Sequence, residues 1–142
     1  MRFEEIDHIM YFAYGHNTNS NEMKDRCPDA RHIGHAVLKN FRFELNHFAN
    51  IVSDDGAETH GVLWNISQKE LKELDVDEGL HDHYNRIPVQ VKFGDKTLQA
   101  AAYIMDPGYH PPDSLNKKYL KLVIEGYKEN DLPLEQIKQA IK

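Results

Sequence analysis

The chain has 142 residues, 40% hydrophobic and 28% charged, with a formal net charge of −6, which suits one domain spanning 1–142 around one core. The acidic balance, uninterrupted by a Lys/Arg block, argues against a nucleic-acid or anionic-membrane partner, and no apolar run approaches the ~20 residues that span a bilayer. A lone Cys27 excludes an internal disulfide and Met1-Arg2-Phe3-Glu4-Glu5 lacks the apolar run of a secretory signal, so a cytoplasmic protein is expected.

Ile9-Met10-Tyr11-Phe12-Ala13-Tyr14 is a continuous apolar and aromatic run of strand length, the pattern of a central strand buried on both faces. Gly15 to Asn21 follows as a small-polar loop rich in cap formers, and Asn21 to Arg26 starts a short helix that Pro28 ends. Ala36 to Phe48 sets Val37, Phe41, Phe43 and Leu45 against Lys39, Arg42 and Glu44 and reads as a long, bent strand. Asp54-Asp55-Gly56 reads as a turn and His60 to Ile66 as the next strand. Ser67 can cap a helix with Glu70 as its capping-box partner, Leu71 and Leu74 share one face, and Gly79 supplies the stop. Tyr84 to Phe93 and Thr97 to Met105 flank Gly94-Asp95-Lys96 as a hairpin. Asp106 to Pro112 is a loop, after which Asp113 or Ser114 can cap a helix with the stripe Leu115, Tyr119, Leu122, Val123 and Gly126. Leu134 to Ile141 forms a last short helix after Leu132-Pro133. Strands come first with helices inserted and appended, so the expected class is α+β, a mixed and largely antiparallel sheet or small barrel flanked by helices.

Leu74-Asp75-Val76-Asp77-Glu78-Gly79 crowds carboxylates where a helix should be ending. A helix C-terminus carries partial negative charge and prefers Lys or Arg, so Asp75, Asp77 and Glu78 lose stabilisation there. Two readings remain: a solvated acidic turn, or a carboxyl whose pKa is raised by repulsion and burial until it suits a general base near neutral pH. The loop Tyr14-Gly15-His16-Asn17 likewise reads either as an ordinary strand-to-helix turn or as a place where backbone N–H groups approach an anionic ligand. His81-Asp82-His83 offers imidazoles and a carboxylate to a metal but lacks an assigned further ligand, and Cys27 before Pro28 reads as structural. Tyr103 and Trp64 read as core aromatics. No Gly-x-Ser-x-Gly elbow, Walker loop, Rossmann fingerprint or Cys-x-x-Cys pair occurs, so the usual nucleophile, nucleotide and zinc signatures are missing.

Taken in order, Tyr11-Phe12-Ala13-Tyr14-Gly15-His16-Asn17, Arg26-Cys27-Pro28-Asp29-Ala30, Gly61-Val62-Leu63-Trp64, Leu74 to Gly79, Tyr84, Tyr103 and Lys128 to Leu134 resemble the gamma-glutamylcyclotransferases and their AIG2-like relatives. The resemblance runs nearly end to end. It implies a small mixed barrel flanked by helices and an enzyme that releases 5-oxoproline from a gamma-glutamyl amino acid or gamma-glutamyl amine. It maps the catalytic glutamate to Glu78 and substrate binding to Tyr11, Phe12, Ala13, Tyr14, Gly15, His16, Asn17 and Tyr103. The partner it implies is a small gamma-glutamyl molecule, with no metal and no cofactor, and a homodimer is the assembly the family allows. His16 departs from it, standing where the family usually has Ser. Backbone-only contact tolerates the change, whereas a role for the Ser hydroxyl puts affinity or substrate choice in question. A non-catalytic binding module on the same fold is the alternative.

Overall fold

The computed structural model describes residues 8–141. In chain order it contains β1 (His8–Ala13), α1 (Ser20–Arg26), β2 (Arg31–Leu45), β3 (Ala49–Ser67), α2 (Gln68–Asp77), β4 (Tyr84–Phe93), β5 (Lys96–Met105), α3 (Lys117–Glu129) and α4 (Glu135–Ala140). The apolar run of β1 is explained by its position between two neighbours: Tyr11 pairs antiparallel with Trp64 of β3 and parallel with Ala101 of β5. That parallel contact closes the sheet in the order β1-β3-β2-β4-β5 into a small barrel-like ring, every other pairing being antiparallel. Tyr11, Phe12 and Ala13 are buried, and Phe12 joins Leu38, Ile51, Leu63, Val91 and Ala102 in the core. The fold is the α+β class expected from the element order.

Local signals set several boundaries. The α2 capping box forms as expected: Ser67 Oγ accepts from the Glu70 N–H at 3.1 Å, and Glu70 Oε1 accepts from the Ser67 N–H at 3.2 Å. Asn19 rather than a later residue caps α1, its side chain accepting from the Asn21 N–H. Two expectations need correction. Asp54-Asp55-Gly56 is no turn between strands, because β3 runs on through it. The strand reversal lies earlier, at 46–48 between β2 and β3. Pairing passes from Lys39↔Glu58 to Phe41↔Ser53, so 54–57 bulge opposite Asn40, whose side chain accepts from the Gly56 N–H at 3.0 Å. At α3, neither Asp113 nor Ser114 caps. Asn116 does, accepting from the Tyr119 N–H at 3.1 Å, and Leu115 is 45% exposed outside the helix.

Helix α3 matters to the site because it clamps the segment after β1. At Gly126 an added Cβ would collide with Thr18 Oγ1 and come within 2.7 Å of the Asn19 nitrogen. The approach that glycine permits is fixed by polar bonds: Asn130 Nδ2 donates to the Thr18 carbonyl at 2.8 Å, and Tyr127 Oη to the Tyr14 carbonyl at 2.7 Å. Among the described residues no helix is long and apolar enough to cross a membrane.

Candidate active site

After β1 the chain turns sharply at Gly15 into a 3-10 turn, His16–Thr18. The Gly15 carbonyl accepts from both the N–H and the hydroxyl of Thr18, at 3.1 and 2.7 Å. A Cβ at Gly15 would lie 2.7 Å from Tyr119 Oη, so only glycine lets Tyr119 stand against this backbone. Trp64 is core but not only core: its indole N–H donates to the Asn17 carbonyl at 2.9 Å. Asn17 Nδ2 donates to Tyr11 Oη at 3.0 Å, while the buried Asn17 Oδ1 has no partner among the described residues. Tyr14 Oη reaches across the sheet to the Tyr103 carbonyl at 2.5 Å. The loop is therefore tied by hydrogen bonds to Tyr11 of β1 and Trp64 of β3, with Tyr119 packed against its backbone.

Glu78 is the C-cap of α2, its N–H donating to the Leu74 carbonyl at 2.8 Å. Gly79 then takes a left-handed φ of 62°, and the Leu80 N–H returns to the Asp75 carbonyl at 2.9 Å. This turn brings the half-buried Glu78 to the wall of the cavity that Gly15 also lines. Burial pushes its pKa up to about 7; Asp77 pushes the same way, and Arg26 opposes both. Asp75 behaves differently. Its carboxylate accepts from Tyr103 Oη at 2.6 Å and pairs with Arg86 at 3.1 Å, so it fixes a tyrosine and the turn, and its charge is already matched.

The cavity has a volume of about 470 Å³. Of the residues expected to bind substrate, Tyr11, Phe12, Tyr14, Gly15, His16, Asn17 and Tyr103 all line it, and Glu78 lines it with them. Ala13 does not line it; it is buried in the sheet, paired with Val62. Tyr84, Tyr119 and Arg26 also line the cavity, although the sequence singled out none of them as binding residues. The available signal was a tyrosine inside an otherwise apolar helix stripe, which is how Tyr119 appears. Tyr84 Oη donates to the Ala49 carbonyl at 2.6 Å, and the Ala49 N–H donates to Tyr119 Oη at 3.2 Å. Burial raises the pKa of Tyr11, Tyr14, Tyr84, Tyr103 and Tyr119, which keeps these phenols neutral around Glu78.

His16 packs against Tyr119 with ring centroids 5.2 Å apart. Burial, aided by the Arg26 charge, pushes its pKa down to about 4, so the ring is neutral at physiological pH. Cys27 is buried, and burial followed by nearby carboxylates pushes its thiol up to about 12, which leaves it unreactive. His83 packs at a tilt against Tyr109 with centroids 4.5 Å apart, and among the described residues no group of three His, Cys, Asp or Glu side chains is placed to hold a metal. The site thus offers one half-buried carboxyl titrating near neutrality, a shell of neutral phenols and a glycine loop tied down by hydrogen bonds.

Comparison with known proteins matches residues 11–124 to the family described as "Gamma-glutamyl cyclotransferase, AIG2-like". The chain is 30% identical to the gamma-glutamylcyclotransferase of Homo sapiens, covering 89% of this chain and 74% of that protein. It is 28% identical to that of Bos taurus, covering 98% and 80%. A solved structure described as a gamma-glutamyl cyclotransferase superposes with a TM-score of 0.83 at 31% identity, over 95% of this chain and 88% of the other.

Proposed function

The chain belongs to the gamma-glutamyl cyclotransferase, AIG2-like family, and from that membership we propose that it releases 5-oxoproline from a gamma-glutamyl amino acid or amine, with Glu78 as general base and then general acid. The observation that carries this reading is the Glu78 carboxyl, with a pKa of about 7, facing one cavity with the Gly15 loop. A gamma-glutamyl substrate brings its own nucleophile, the alpha-amine, so the protein supplies position and proton transfer rather than a Ser or Cys. The free alpha-amine has an ordinary pKa of about 8 and must be deprotonated to attack. Its nitrogen bonds to the gamma-carbonyl carbon as Glu78 takes a proton from it. The carbon–nitrogen bond to the leaving amine then breaks as Glu78 returns that proton to the departing nitrogen.

The backbone N–H groups around Tyr14, Gly15 and His16 serve the substrate's negative charge, whether its carboxylate or the oxyanion. The same role sits well with a non-Ser residue at 16, because a backbone donor is indifferent to the side chain. Incubation with a panel of gamma-glutamyl dipeptides and gamma-glutamyl amines is expected to yield 5-oxoproline by chromatography, and Glu78→Gln to lower turnover by at least about a hundredfold with the fold retained. Tight binding across the panel without turnover favours the binding-module reading instead.

A further inference from the structure

Arg26 closes α1 and lines the cavity wall. Among the described residues only its Nη1 is engaged, by the Glu22 carboxylate at 3.1 Å and the Glu22 carbonyl at 3.3 Å. The remaining N–H donors of the guanidinium have no protein acceptor, although the side chain is only 29% exposed. Its charge acts on Glu78, His16 and Tyr119, three groups that line this cavity. Arg26 also lines a shallow groove, and it shares with Glu22 and Asp77 the border between that groove and the cavity. The part of a substrate common to all must reach Glu78 and the Gly15 loop, which leaves the groove side of the cavity for the part that varies.

We propose that Arg26 holds a carboxylate carried by the leaving amine, and so sets a preference for gamma-glutamyl alpha-amino acids over gamma-glutamyl amines that lack one. The inference rests on the cyclotransferase reading above. A planar guanidinium with unengaged donors matches a carboxylate geometrically, and the Glu22 carboxylate holds it at Nη1 alone. The other carboxylates of the groove, Asp25, Glu73 and Asp77, are exposed to solvent, which weakens their pull on the guanidinium, whereas the guanidinium is partly sheltered.

The test compares gamma-glutamyl-alanine with gamma-glutamyl-ethylamide, its carboxylate-free counterpart. It is run at pH 9, where Glu78 is ionised with or without Arg26. The expected wild-type preference in kcat/KM is about tenfold or more, the usual size of a charge-assisted recognition. Arg26→Gln is expected to collapse that ratio towards one, chiefly through KM, and Arg26→Lys to restore part of it. Calorimetric binding of both compounds to Glu78→Gln reads the same ratio without turnover, so that discrimination together with no 5-oxoproline release by the wild-type protein would sink the cyclotransferase reading and leave the subsite standing. Equal losses on both substrates in Arg26→Gln, an unchanged ratio, a wild-type preference for the carboxylate-free compound, or no binding of either would overturn the subsite.

Discussion

Glu78 owes its pKa of about 7 first to burial, with Asp77 and Arg26 pulling in opposite directions. The acid cluster at the end of α2 is therefore three residues with three tasks. Asp75 is tied to Tyr103 and Arg86, Asp77 is exposed and acts through its charge, and Glu78 faces the cavity. Removing the Asp77 charge is expected to lower the pKa of Glu78. Asp77→Asn should therefore move the acid limb of the pH–rate profile to lower pH and raise the rate at pH 6, by less than about tenfold. A profile that moves to higher pH, or does not move, would contradict this division of roles. His16, neutral above about 4, adds no charge to the site at the same pH.

At the scale of elements, the site is assembled where β1, α2 and α3 meet, and Gly126 is the point of closest approach. Gly126→Ala puts a methyl against the Thr18 hydroxyl, which is tied to the Gly15 carbonyl, and against the backbone of Thr18 and Asn19, which cannot swing aside as a side chain can. A destabilisation of about 1–3 kcal/mol is expected, read as a lower Tm, with a loss of substrate affinity as the loop after β1 shifts. Unchanged stability and affinity would show that α3 does not hold that loop. Signals confined to a few residues were legible in the sequence: the Ser67–Glu70 box, the Gly79 stop and the apolar run of β1 all describe what forms. Signals that depend on partners were not. Asp54-Asp55-Gly56 has turn chemistry, but pairing with β2 absorbs it as a bulge, and Leu115 has stripe spacing, but Asn116 starts the helix after it. The same division runs through the site. The Gly15 loop and Glu78 are contiguous motifs, whereas Tyr119 and Arg26 enter the cavity only because the sheet closes and α1 and α3 pack over it.

For the whole molecule, a half-buried carboxyl with a raised pKa is a cost to folding that depends on pH. Below the unfolded-state value of about 4.3 Glu78 is protonated in both states and costs nothing. As pH rises through its folded value of about 7 the penalty becomes complete. Glu78→Gln removes the charge, so the variant is expected to be more stable than wild type at pH 8, by on the order of 2 kcal/mol after allowance for partial exposure, and equal to it near pH 4. Denaturant titrations at the two pH values check this, and a variant less stable at pH 8 would contradict the burial argument. His16 acts in the opposite sense on the whole protein, since its pKa is lowered and stability falls as pH drops from about 6.5 towards 4.

Stability and activity meet at one carboxyl: the group that weakens the fold at pH 8 is the one assigned to move the proton. The pH dependence of 5-oxoproline release from a gamma-glutamyl dipeptide, in wild type and Glu78→Gln, addresses that assignment most directly. The account predicts a wild-type rate that falls away below a midpoint near 7 and a variant that stays folded with at least about a hundredfold less turnover. A folded Glu78→Gln variant releasing 5-oxoproline at the wild-type rate would contradict it.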